Sequence, residues 1–145
     1  MTEMPARARE AVRLKHRANL AVLDQRRATH RLVEDGYSPA EVSRWVSVPE
    51  SEVAEDDVPM PLEGFSGATP WEICERYAAG EISREQLVDE LVRYPYVPRP
   101  DTDGYDWLPI DPPGTFAEVQ EAGFCGLIGP EEYGAILEAG KAARA

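Results

Sequence analysis

The chain has 145 residues, 43% of them hydrophobic, and a formal net charge of −12. That is enough apolar material for one ordinary domain or two small ones, and too much for a wholly disordered chain. No apolar run approaches the ~20 residues that span a bilayer, so no membrane partner is expected. Met1 to Arg9 lacks the apolar stretch of a secretory signal. Two cysteines, Cys74 and Cys125, supply neither a disulfide framework nor a metal-ligand cluster. The expected location is the cytoplasm, with no cofactor and no metal.

The charge is divided unevenly. Residues 1–45 carry nine Lys/Arg against six Asp/Glu, a net +3, whereas residues 46–145 carry six against 21, a net −15. Such a division predicts two binding surfaces, or one arm folded onto its own body. The acidic part suits a basic protein partner.

In chain order, residues 6–35 read as one long helix, with Pro5 at its entry and Gly36 at its exit. Ala11, Leu14, Ala18, Ala21, Gln25, Ala28 and Leu32 follow 3-4 spacing, a seam suited to close helix packing and to homo-oligomer formation through residues 11–32. Arg9, Arg13, Arg17, Arg27 and Arg31 fall within an arc of roughly 80° away from that seam. With Arg44 they are the candidate residues for binding nucleic acid or an acidic partner, since arginines can track phosphates without reading sequence.

Ser38-Pro39-Ala40-Glu41 is a capping box that opens a short helix, and Pro49-Glu50 starts another turn through Val53. Residues 55–68 read as an acidic Pro/Gly linker, dividing a basic arm (1–54) from an acidic helical domain (69–145). In that domain the chain repeats itself at a shift of 46 residues. Thr69, Glu72, Glu75, Gly80, Ile82, Glu85 and Leu91 match Thr115, Glu118, Glu121, Gly126, Ile128, Glu131 and Leu137. Each copy, 69–91 and 115–137, reads as helix, glycine turn, buried isoleucine and capped helix, and the two are expected to pack on each other. Tyr94 to Gly114 between them excludes helix by its prolines and forms a candidate protein-binding loop with Tyr94, Tyr96, Tyr105 and Trp107. The fold expected is all-α.

The run Leu32 to Val53 resembles the helix-turn-helix of bacterial and phage repressors, recombinases and antitoxins, with Ser43, Ser47 and Val53 at its small, turn and aliphatic positions. The resemblance implies a DNA-contacting second helix. The sequence departs from it at Ser47, where the family has glycine, and at Glu50, Glu52, Glu55, Asp56 and Asp57, acids that phosphates repel. The stretches Gly80 to Glu85 and Gly126 to Glu131 resemble the short C-terminal helical hairpins that serve bacterial proteins as interaction modules.

No nucleophile elbow or phosphate loop is present, and both histidines, His16 and His30, lie in the arm, so no catalytic residue is assigned. Asp101 to Asp106 has acids like a calcium loop but places glycine and Pro112 where that loop needs other residues, so it reads as a polar turn. Three functions follow. The first is a non-enzymatic regulator of antitoxin or mobile-element type, binding DNA or dimerising through its N-terminal part and holding a protein through its acidic domain. The second is a pure protein-binding factor, such as an immunity or phage assembly protein. The third is a carboxylate-dependent enzyme.

Overall fold

The computed structural model describes residues 4–55, 57–97 and 114–144. They form seven helices, and no strand occurs among them. The all-α expectation holds.

The first helix, α1 (Ala6–Glu34), is 29 residues long, about 44 Å. It starts behind Pro5 and ends where Gly36 takes φ +107, with the Tyr37 amide donating to the Leu32 carbonyl. Ser38 caps α2 (Pro39–Val46), its hydroxyl accepting from the Glu41 amide at 3.2 Å. The chain then turns through Ser47 into α3 (Glu50–Val53), a single turn. Ser47 has φ +62 and is the one non-glycine at positive φ among the described residues. The departure from glycine noted in the sequence therefore falls at a left-handed position that costs an L-residue about 1–2 kcal/mol. Buried Val42, Val53 and Thr29 close α2 and α3 onto the C-terminal end of α1.

The two sequence copies are two helical hairpins: α4 (Pro70–Ala78) with α5 (Arg84–Arg93), and α6 (Ala117–Phe124) with α7 (Pro130–Arg144). They pack like on like, α4 against α6 and α5 against α7. The first helix of each ends in the same left-handed glycine turn, Gly80 at φ +80 and Gly126 at φ +84. The following amide closes each turn, Glu81 onto Arg76 and Leu127 onto Ala122, both at 2.9 Å. The glutamates are equivalent too. Glu72 reaches back to the Ala68 amide and Glu118 to the Gly114 amide, positions again 46 apart. Thr69 and Thr115 differ. Thr69 accepts from the Glu72 amide at 3.1 Å, but Thr115 makes no cap and its buried hydroxyl has no partner. Ile73, Cys74, Leu87, Leu91, Val119, Ala122, Ile128 and Ile136 form the core between the hairpins.

The stretch read as a linker is bound to the body. Val58 is buried, Ser66 donates from its amide and hydroxyl to Glu90, and Phe65 meets Tyr94 edge to face at 5.7 Å. Gly67 lies so close to Glu72 that a Cβ there would fall 2.8–2.9 Å from its side chain.

Candidate interaction surfaces

The face of α1 that meets the body is not the alanine seam. Antiparallel contact with α4 runs through His16, Leu20 and Arg27, all buried. Ala11, Leu14, Ala18, Ala21 and Ala28 are exposed on the opposite side. The reason is chemical. The α4 surface consists of Glu72, Glu75 and Arg76, and a charged surface leaving water needs charged partners.

Those partners are specific. Arg27, 3% exposed, donates from both terminal nitrogens to Glu72 at 2.6 and 2.7 Å and from Nε to the Pro59 carbonyl at 2.8 Å. Arg76 donates to Glu72 at 2.9 Å and Glu81 at 2.8 Å, and grips Asp24 of α1 with both terminal nitrogens at 2.7 and 2.9 Å. His16 Nδ1 lies 2.8 Å from Glu75 Oε2. Burial alone would raise the Glu72 carboxyl, but Arg27, the Ala68 amide and Arg76 outweigh it and hold it below the ordinary carboxylate range. Asp24 is held down chiefly by its hydrogen bonds from Arg76. Glu72 thus serves as cap for its own helix and counter-ion for two guanidiniums.

This network revises the arginine stripe. Arg27 is consumed within the fold and is removed from the candidate binding residues. Arg13 is half-buried, bonded to Glu10, and its side chain lies 3.6 Å from where a Cβ on Gly80 would sit. Arg9, Arg17, Arg31 and Arg44 are exposed. The stripe lies on the body-facing side of α1, and only its ends and edge reach solvent. In the helix-turn-helix-like element, α3 is one turn long and carries exposed Glu50 and Glu52, while Glu55 pairs with Arg26 at 2.8 Å.

The aromatic candidates divide likewise. Tyr94 is a core residue, 8% exposed, with its hydroxyl donating to the Ala68 carbonyl. Tyr96 is half-buried, donates to the Leu91 carbonyl and lies between Tyr94, tilted at 53°, and Phe116, met edge to face at 76°. Neither presents a binding loop, because each hydroxyl finds a backbone acceptor inside. Tyr105, Trp107 and the polar turn at 101–106 lie outside the described residues.

The sequence reading passed over Phe124. It ends α6 with 90% of its surface exposed, beside an open apolar groove of about 280 Å³ lined by Gln120, Gly123, Gly129, Pro130 and Tyr133. Glu121 lies one turn before it on α6, and Glu131, 82% exposed at its side chain, opens α7. Neighbouring Cys125 is exposed, but desolvation and the Glu121 carboxylate raise its thiol, which disfavours the reactive thiolate. Burial pushes Cys74 up to about 12. The repeat held a signal for Phe124: its equivalent in the first hairpin is Ala78, so a large aromatic stands where the other copy has a methyl group.

No protein family, curated protein or solved structure matches the chain. None of the helices among the described residues is long and apolar enough to cross a membrane.

Proposed function

We propose that the chain is a non-enzymatic interaction protein of the antitoxin or phage and mobile-element type, whose acidic helical body binds a basic protein through the groove at Phe124. The observation that carries this reading is a phenylalanine 90% exposed beside an apolar groove. Exposed aromatic anchors in a polar rim are the usual energetic centre of a protein interface. The net charge of −15 over residues 46–145 selects a partner with Lys or Arg around an apolar side chain. The DNA reading draws less support, since Arg27 is spent on Glu72 and the one-turn α3 offers carboxylates rather than cations.

The test is co-purification of the tagged full chain from its native host, beside Phe124→Ser and Tyr133→Ser variants. The reading expects a basic protein retained by the wild type at moderate salt and lost with Phe124→Ser. Retention of the same protein by both variants would overturn the groove. Duplex DNA shifted at low salt, and released by Arg17→Glu with Arg31→Glu, would restore the alternative.

A further inference from the structure

The outer face of α1 is left bare: α4 covers the opposite face, and α2 with α3 pack on the C-terminal part of the helix, where Thr29 is buried. It is a surface with side chains to bury, since Leu14 and Val22 are 50% and 61% exposed. From this face and its charges we infer that the chain forms a homodimer in which two α1 helices pack antiparallel along it.

The register follows from the sequence of the face. Ala11, Leu14, Ala18, Ala21, Gln25 and Ala28 are spaced 3-4-3-4-3, a pattern that reads the same from either end. A two-fold axis between Asn19 and Leu20 therefore brings every seam residue opposite another: Ala11 with Ala28, Leu14 with Gln25, Ala18 with Ala21. Alanines let the helices approach to the close end of the usual 8–10 Å range. The edge residues supply the charge complementarity. Antiparallel helices align like edges, which places Arg17 beside Asp24 of the second copy and Glu10 beside Arg31. Symmetry repeats both, giving opposite charge at four places along one dimer. The parallel arrangement loses this match, setting Arg17 beside Val22 and Asp24 beside Thr29. The donors and acceptors are within reach: Arg17 and Arg31 are exposed, and the side chains of Glu10 and Asp24 are each 51% exposed despite their bonds to Arg13 and Arg76. This interface is separate from the Phe124 groove, so each can fail alone.

Sedimentation velocity of the full chain over a concentration series should show a monomer–dimer equilibrium. Ala18→Glu, at a position exposed in the monomer, should raise the dimer Kd by more than about tenfold and leave Tm unchanged at concentrations where the wild type is monomeric. Arg31→Glu should weaken the dimer, and Glu10→Arg added to it should restore it. Orientation is read by cysteine pairs in a Cys125→Ser background. Ala11→Cys and Ala28→Cys proteins should form a disulfide dimer only when mixed, because antiparallel helices hold the two copies of position 11 about 25 Å apart. A monomer at every concentration, a dimer indifferent to Ala18→Glu, or position-11 cysteines that join each other would each overturn the inference.

Discussion

The two hairpins share a plan but not a fate. Cys74, Leu87 and Leu91 of the first are fully buried, whereas Gln120 and Leu137, their equivalents in the second, are exposed and Tyr133 is half-buried. The first hairpin lies between α1 and the second hairpin, so it is covered on two sides. The second is covered on one, and the surface it keeps open is the one with Phe124. A duplicated unit here divides its labour. One copy gives its outer charges to holding an arm, and the other leaves its outer face to solvent.

The sharpest way to break that comparison is to make the same change at the two equivalent glutamates. Glu72→Gln leaves the guanidiniums of Arg27 and Arg76 short of a buried counter-ion and should cost about 3–5 kcal/mol, a Tm drop of about 10 °C. Glu118→Gln removes only a charge from hydrogen bonds to the Gly114 and Trp71 amides and should cost about 1 kcal/mol. Thermal and urea unfolding of both variants checks this; equal losses would mean that the arm adds nothing to the first hairpin. Leu91→Ala should lose about 2–5 kcal/mol and the equivalent Leu137→Ala less than about 1.

A smaller effect is expected with pH. Glu72 and Asp24 are held below their ordinary values in the folded chain, Glu72 by Arg27, the Ala68 amide and Arg76 against its own burial, Asp24 chiefly by Arg76. Their contribution is complete above the unfolded values near ~4 and is lost as pH falls through the folded ones. Urea midpoints should therefore decline between about pH 5 and pH 3, and the Glu72→Gln variant should show a flatter decline. The smallest effect is a gain. Ser47→Gly relieves a left-handed serine and should stabilise the chain by about 1 kcal/mol, without altering the comparison between hairpins.

Much of this architecture was legible in the sequence, and the exceptions have physical causes. Caps and turns are local, so Pro5, Ser38, Thr69, Gly80 and Gly126 mark helix ends where the structure has them. The repeat marked the hairpins and their packing. The direction of α1 was not legible. Arginines ordinarily point to water and alanines inward, but Arg27 and Arg76 are drawn in by Glu72, a glutamate that as a capping residue gave no hint of a second role. The stretch at 55–68 read as a linker because its prolines and acids are flexible-chain signals, while the bonds that pin it, Arg27 to Pro59 and Ser66 to Glu90, join residues far apart in sequence. Phe124 is marked only by comparing the two copies, since an aromatic at a helix end otherwise reads as core.

On the function proposed for this chain, the open hairpin, not the covered one, binds the partner. A photo-crosslinking benzoylphenylalanine placed at Phe124 in the native host tests it most directly. A covalent adduct to a basic protein is expected from position 124, and none from the same probe at exposed Glu63 near the first hairpin. A partner captured at 63 and never at 124 would contradict it.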